Sequence, residues 1–367
     1  MKITYLANIR IPTEKAHGVQ VMKACEAFVR VGNGVELVAP NRRSPITTDA
    51  FSYYNIKITF PLVRLFTIDT VGWGRIGYIF QSLAFGLAAV WYTRNRVSDI
   101  IYGRDEIVLT VLGLLTRKEI VWESHDGSWN IWARYTARRA KKMIVVTEGA
   151  ADFYKEQGVP AERLLAISNG IDLEDFACPE SKETARTRLG LPLHEKIVLY
   201  IGRLDGWKGT DTLLEASKIL PSAVRIVVIG GEREQVIKLS KKYPQVTFLG
   251  FKPYSELANN QAAADALVVP NTGKSEISVR FTSPLKLIAH LASNRPIVVS
   301  DLPSTRWVAD GAALFVPPDN PKALAEGVER IFKDTQLAQE LCAKAQEKVS
   351  AFSWSTRAEK IATFISQ

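Results

Sequence analysis

Lys2-Ile3-Thr4-Tyr5-Leu6-Ala7, then Gly18 to Val31 (GVQVMKACEAFVRV), then Val35-Glu36-Leu37-Val38-Ala39-Pro40: these three runs decide the fold. The first is a short apolar run of β-formers. A polar loop follows, and the second run carries Val21, Cys25, Phe28 and Val29 at helical spacing. Gly32 and Gly34 end that helix, and the third run is the next strand. A strand–helix–strand opening predicts a parallel sheet whose ligand lies at the carboxyl ends of the strands.

The same alternation continues outward. Ile100–Tyr102, Ile120–Glu123 and Met143–Thr147 read as further strands, the last preceded by a basic helix over Tyr135–Lys142. Asp175–Lys196 is polar, contains Pro179 and Pro192, has no strong periodicity and is read as the interdomain linker. Strands then resume at Ile197–Ile201, Arg225–Ile229, Val246–Leu249, Ala266–Val269, Ile297–Ser300 and Leu314–Val316. Helices fall between them near Asp211–Ile219, Glu232–Lys242, Pro284–Ser293 and Pro321–Phe332. Two consecutive α/β domains with parallel sheets are the simplest account, with 1–185 and 186–351 as their bounds.

Composition agrees with that size. The chain has 367 residues, of which 47% are apolar and 23% charged, enough for a real core and unlike a disordered or fibrous chain. Cys25, Cys178 and Cys342 are far apart and odd in number, so a reducing, cytoplasmic compartment is expected and a disulfide framework is not. His17, His125, His194 and His290 are scattered, and no CxxC, HExxH or Asp-x-Asp pattern occurs, so no metal and no cofactor are expected. The net charge of +9 asks for an anionic partner: a nucleotide diphosphate, a membrane surface or nucleic acid. Basic residues are spread along the whole chain and no nucleic-acid module is visible, so nucleic acid is not expected. Met1–Arg10 is too short an apolar stretch for a secretory signal. Ile76–Tyr92 is the most membrane-like segment and is read as a buried helix of an α/β domain.

Four stretches could carry chemistry. Gly202-Arg203-Leu204-Asp205-Gly206-Trp207-Lys208-Gly209 follows the first strand of the second domain. There two cations and free N–H groups at a helix start could meet a pyrophosphate, or the loop could simply be solvated. Arg280-Phe281-Thr282-Ser283-Pro284-Leu285-Lys286 opens another helix, with Ser283 suited to the cap and Pro284 to the first turn. Those roles are sufficient structural reasons for both residues; the exposed helix start, with Arg280 and Lys286, would also suit an anion. His125 follows the strand that ends at Glu123, where it could bond a sugar hydroxyl or be an ordinary structural histidine, with Asp126 a candidate to hold its tautomer. Finally, Trp129–Tyr135 runs into Arg138, Arg139, Lys141 and Lys142, which reads either as a patch for anionic lipid or as a solvated helix face.

Taken together, these segments resemble glycosyltransferase family four, the retaining transferases of the two-domain GT-B fold. The resemblance rests on Lys15–Val21 with Glu26-Ala27-Phe28, His125-Asp126, Ser168–Asp172, Gly202-Arg203-Leu204 with Lys208-Gly209, and Phe248–Phe251. It continues through Ser283-Pro284-Leu285-Lys286-Leu287, Pro296–Asp301 and the ending Phe352-Ser353-Trp354. It implies two Rossmann-like domains facing each other across a cleft, with a terminal helix over 352–367 packing back on the first. By that resemblance Arg203 and Lys208 clamp the donor diphosphate, Gly18 approaches the donor and His125 contacts the transferred sugar. Gly202, Arg280, Ser283, Pro284, Leu285 and Lys286 belong to the donor side, the base lies near Phe251 and Lys252, and Arg104, Asp126 and Asn169 line the cleft or acceptor side.

The implied reaction is metal-independent transfer, with retention, from a nucleotide-sugar donor to a saccharide or lipid-linked acceptor, as in polysaccharide or glycolipid assembly. The implied location is cytoplasmic, peripheral at the inner membrane face. One position departs from the family: the glutamate that holds the donor ribose is replaced by Ala289. A non-catalytic or weakly active binding relative is therefore an alternative, as is a nucleotide-sugar epimerase on the same fold.

Overall fold

The computed structural model describes residues 1–283 and 285–367, and its chain divides into two compact units, Met1–Asn169 with Trp354–Gln367 and Gly170–Ser353. In the first unit seven parallel strands lie in the order β3-β2-β1-β4-β5-β6-β7. They are β1 Lys2–Leu6, β2 Gly34–Pro40, β3 Leu62–Leu65, β4 Ile100–Gly103, β5 Ile120–Ser124, β6 Lys142–Val145 and β7 Leu164–Ala166. The second unit has six, β10-β9-β8-β11-β12-β13. They are β8 Lys196–Ile201, β9 Val224–Ile229, β10 Thr247–Gly250, β11 Ala266–Val269, β12 Ile297–Ser300 and β13 Leu314–Val316.

Both sheets change direction of winding once. The first does so between β1 and β4, the second between β8 and β11. Helices leave such a pair on opposite faces, which opens a crevice beyond the carboxyl ends of the two strands. The central strands are buried throughout, as in Ile100–Gly103 and Ala266–Val269. Polar side chains are therefore concentrated where the strands stop.

The Ala16–Arg30 helix crosses β1 and β2 with Val21, Met22, Cys25 and Phe28 buried beneath it. The Trp354–Ser366 helix closes the same core with Trp354, Ala358, Ile361 and Ile365. Strands β3 and β7, which sequence periodicity does not reveal, are the two edges. Both are short and half-exposed, so neither needs an apolar run.

Three sequence expectations need correction. The basic helix spans Ile131–Arg139, because Asn130 caps its start and Lys142 already belongs to β6. The supposed linker contains a helix, Lys182–Leu189, capped by Ser181 and ended by left-handed Gly190. It belongs to the second unit, so the division falls at Asn169–Gly170. Buried Arg186 is the reason. Its guanidinium donates to the carbonyls of Ala263, Leu193 and Glu195 at 3.0, 2.6 and 3.1 Å and to Asp265 Oδ2 at 2.6 Å. Eight residues with Ala185, Arg186 and Leu189 inward carry too little apolar pattern to announce a helix. Third, the membrane-like segment forms the long helix Gly74–Arg94, and only one of its faces is buried.

Removing Arg186 takes this donor from the carbonyls of Ala263, Leu193 and Glu195 and one of two cations from Asp265, which keeps Lys182 at 3.0 Å and the Ile197 N–H at 2.8 Å. Arg186→Ala is expected to destabilise the second unit by about 1–3 kcal/mol, read as a fall in its urea midpoint, while first-unit helix signals are retained.

Candidate functional site

The second unit's switch point is built on glycines. Gly202 ends β8 at φ 151° and donates its N–H to Ile229 O at 2.9 Å. Beside it Gly230, at φ 123°, lies so close that a Cβ there would sit 2.1 Å from Gly202 O. Gly209, at φ 66°, lies against Pro270, where a Cβ would come within 1.7 Å of the carbonyl oxygen. Only glycine fits either approach. The strand ends are thereby drawn together, and Lys208 is held over the Trp207 ring, 3.5 Å from its centre.

Lys286, on the Leu285–Leu291 helix, aims at the same place. Its Nζ stands 4.3 Å from the centre of the Tyr200 ring, is buried, and finds no hydrogen-bond partner among the described residues. Burial and the neighbouring Lys208 hold the Lys286 ammonium well below the ordinary lysine range. Burial likewise brings Lys208 down to about 8, with Asp205 acting against that shift. Two desolvated amino groups, one of them depressed by the charge of the other, form a site in want of an anion. Asn271, just past β11, is fully buried, with both amide atoms unpartnered among the described residues.

The other donor-side residues divide. Arg203 is exposed and pairs with Asp205 at 3.1 Å, so the cations drawn together are Lys208 and Lys286, with Arg203 on the rim. Arg280 lies in a short π-helical turn, Ile277–Phe281, that packs beside Gly206–Lys208 and pairs with Glu276 at 3.7 Å. The carbonyl of Ser283 accepts from Leu285 N at 2.9 Å, Leu285 is half-buried, and Pro284 lies outside the described residues. Phe251 and Lys252 follow β10, whose Gly250 carbonyl accepts from Gly230 N at 2.7 Å; Phe251 is exposed and Lys252 half-buried. The helices Thr210–Ala216 and Leu285–Leu291 have seven residues each, so the side-chain ammonium groups, more than a helix dipole, supply the positive charge. Ala289 is buried among Ile288, Leu291 and Ile297 in the unit's apolar core.

In the first unit the decisive group is Glu123, near the end of β5. Its Oε1 accepts from Arg104 at 2.8 Å and from His125 Nε2 at 2.5 Å and is ion-paired with Arg357 at 3.1 Å, while Oε2 takes the Tyr102 hydroxyl. Burial alone would raise this carboxyl, yet Arg104 and Arg357 hold it well below the usual range. An ionised carboxylate only accepts, so the shared hydrogen belongs to Nε2 of His125 and Nδ1 is left as an acceptor. Burial, with Arg104 nearby, lowers His125 to about 4, which keeps the imidazole neutral. A pocket of about 260 Å³ opens there, lined by His17, Gln20, Arg104, Trp122, Glu123 and His125 among others.

Asp126 does not hold the His125 tautomer; its Oδ1 accepts from Ser128 N at 3.2 Å in a turn. Asn169 is buried at the end of the unit, beside Ser168, whose carbonyl accepts from Arg357 Nε at 3.0 Å. Gly18 has a packing reason of its own, since a Cβ there would meet Tyr54 Oη at 2.2 Å. Tyr54 in turn bonds both the N–H and the carbonyl of Thr13. Trp129 stacks edge-on against Phe153 and Tyr154, so this ring of the expected lipid patch is turned into the unit, while Trp132 and Tyr135 are half-buried. Sequence reasoning missed Glu123, Arg357, Tyr200, Gly230 and Asn271. His17 and Gln20 were visible only as part of Lys15–Val21. Among the described residues no three His, Cys, Asp or Glu side chains are grouped to hold a metal ion.

Residues 17–175 match the family model described as Glycosyltransferase Family 4, and residues 195–334 match that of Glycosyl transferases group 1. The chain belongs to glycosyltransferase family 4. A curated relative, the D-inositol 3-phosphate glycosyltransferase of Corynebacterium diphtheriae, is 28% identical over 239 residues, covering 60% of this chain and 54% of its own. The chain thus spans about half the length of the curated relatives it matches. Among solved structures, Anabaena HepE in complex with UDP and glucose aligns at TM-score 0.79 with 18% identity, over 100% of this chain and 99% of its own. The sucrose-phosphate synthase of Thermosynechococcus elongatus aligns at 0.77 with 21% identity, over 99% and 97%. The fold of this family 4 member is therefore GT-B, and its Lys208–Lys286 pair sits at the switch point of the second Rossmann-like sheet.

An ordinary histidine protonates near 6.5 and His125 near 4. Between those values the unfolded chain binds a proton that the folded chain refuses, so acid weakens the first unit as pH falls across that window. In NMR titration the His125 ring is expected to stay neutral down to about pH 4. In Glu123→Gln, whose amide can also donate to the ring, the fixed tautomer and its ring-nitrogen shifts are expected to be lost.

Proposed function

We propose that this chain is a retaining glycosyltransferase that moves a hexose from a nucleotide-diphosphate sugar to a saccharide or lipid-linked acceptor. It would serve polysaccharide or glycolipid assembly, as a cytoplasmic enzyme peripheral to the inner membrane face. The observation that carries the reading is the Lys208–Lys286 pair, two desolvated ammonium groups with no carboxylate bonded to either among the described residues. A diphosphate supplies the charge they lack. Asn271, whose backbone lies against Gly209, offers an amide unpartnered among the described residues, and Arg203 can turn from Asp205 toward a bound anion.

In the proposed reaction the bond from the anomeric carbon to the phosphate oxygen breaks. The acceptor oxygen bonds that carbon on the same face, and the acceptor proton passes to the departing phosphate. Lys208 and Lys286 stabilise the charge that develops on the leaving diphosphate, the term worth most in such a step. His125, neutral and held by Glu123, presents Nδ1 to accept a hydrogen bond from a sugar hydroxyl. The scheme assigns no role to a metal or cofactor. The Anabaena neighbour's complex with UDP and glucose makes UDP-hexoses the first donors to try. Ala289, an apolar core residue where the family's ribose-binding glutamate would stand, supports a second reading as a weakly active binding relative.

Thermal shift against UDP-, GDP-, ADP- and CMP-sugars separates the two: selective stabilisation followed by turnover supports the enzyme, and no shift with any donor supports the binding relative. Lys286→Met should leave the free protein as stable or more so, because it removes an uncompensated buried amine. The same change should cost on the order of a hundredfold in turnover. Lys208 lies near 8 when free, and a bound diphosphate favours its charged form. Donor binding is therefore expected to take up protons in calorimetry and to weaken as pH rises above about 8.

A further inference from the structure

The Gly74–Arg94 helix is long and apolar enough to cross a bilayer by length and composition. Its inner face, however, is committed to the first unit. A Cβ on Gly86 would meet Val111 at 2.9 Å, and one on Gly77 would meet the Thr70 carbonyl at 1.8 Å. Buried Gln81 donates to Thr67 Oγ1 at 2.9 Å, and Ser82 Oγ accepts from Asn8 at 2.8 Å. A helix bonded into a sheet domain along one side cannot also be surrounded by lipid, so it does not span.

Its outer face is the anomaly. Trp73, Ile76, Phe80, Leu87 and Trp91 recur at helical spacing along that face, and all are exposed. No charged residue occurs from Ile76 to Thr93, a length of about 27 Å of helix. The preceding segment extends the surface: Thr67 and Thr70 turn inward while Phe66 and Ile68 point out. At the far end Leu114 and Leu115 flank it from the neighbouring helix.

Charge frames this apolar stripe on one sign. Arg75 opens the helix, Arg94 and Arg96 close it, and Lys118, bonded to Arg96 O at 2.8 Å, brings Arg117 beside them. The acidic residues nearby are engaged: Asp69 with Arg42, Glu119 with Lys141 and Asp99 with the Lys2 N–H. Trp73 and Trp91 sit near the two ends of the exposed apolar face, with Arg75 beside the first and Arg94 and Arg96 beyond the second. On a helix lying in the interface plane, such indoles rest at headgroup level and such cations meet lipid phosphate while the apolar face enters the acyl boundary.

We propose that the outward face of Gly74–Arg94, with Phe66 and Ile68, docks this chain on an anionic lipid surface, lying in the interface plane. This deepens the peripheral placement proposed above and is independent of the donor chemistry.

The test is co-sedimentation of the full chain with vesicles of phosphatidylethanolamine and phosphatidylglycerol, against vesicles in which phosphatidylcholine replaces the anionic lipid. The native protein is expected to sediment with the anionic vesicles, with a blue shift of tryptophan emission. The double variant Ile76→Glu with Phe80→Glu, and separately Arg94→Glu with Arg96→Glu, should each lose about tenfold or more of that binding. Donor-induced thermal shifts, measured without vesicles, should be unchanged in both variants, so failure of docking and failure of the donor reading are told apart. The proposal is overturned if the native protein ignores both vesicles or if the variants bind like the native chain. It is equally overturned if light scattering shows a dimer, broken by the glutamates, in place of lipid binding.

Discussion

A parallel strand covered by helices on both faces has no water along its length, and every polar side chain placed there must find a partner or move to the end. In this chain that constraint sorts the chemistry. Along β4, β8 and β11 the interior is apolar or aromatic, and past the strand ends polar side chains appear at Arg104, Arg203 and Asn271. The winding reversals then decide which of those ends are open to a ligand. Site and core are in this sense one arrangement: the lysines stand where they do because the strands could not accommodate them.

Glu123 is the exception that the constraint makes visible. A fully buried carboxylate within β5 is tolerable only with compensation around it: Arg104 and Arg357 supply the charge, and the neutral His125 imidazole donates a hydrogen bond. Such a cluster contributes less to net stability than its bond count suggests, since desolvating each ion offsets the attraction. What it does secure is orientation. With both carboxylate oxygens engaged, the ring of His125 has one permitted tautomer, and the Trp354–Ser366 helix has one register in which Arg357 reaches the carboxylate.

Much of the fold was legible because the signals were local. Every strand named from periodicity in the second half exists within a residue or two, as at Ala266–Val269 and Ile297–Ser300. What escaped were the short edges Leu62–Leu65 and Leu164–Ala166, where half-exposure removes the apolar run, and Lys182–Leu189, held largely by a single buried arginine. The site was legible in part. Lys208 and Lys286 stood out as basic residues near glycine or a helix start. That they converge, while Arg203 turns outward, depends on the Gly209–Pro270 and Gly202–Gly230 approaches between separate strands, which no local pattern reports. Glu123 was hidden for the same reason: read alone it is the polar end of a strand, and its partner Arg357 arrives from the far end of the chain. The outer face of Gly74–Arg94 was misread because an apolar helix with one side exposed has the composition of a buried one.

The chain leaves the first unit at Asn169 and re-enters it at Trp354, and the two passages run side by side, with Ile171 N–H bonded to Phe352 O at 2.9 Å. During synthesis this arrangement imposes an order. The first sheet emerges from the ribosome with Glu123 and Arg104 in place, but Arg357 and the core residues Trp354, Ile361 and Ile365 are made only after the whole second unit. Until then an apolar groove over the Ala16–Arg30 helix stays uncovered and the buried carboxylate lacks one of its cations. The unit translated first is thus the last to be completed, and the nascent chain exposes a sticky surface for as long as the second unit takes to make, the interval in which a chaperone has most to do.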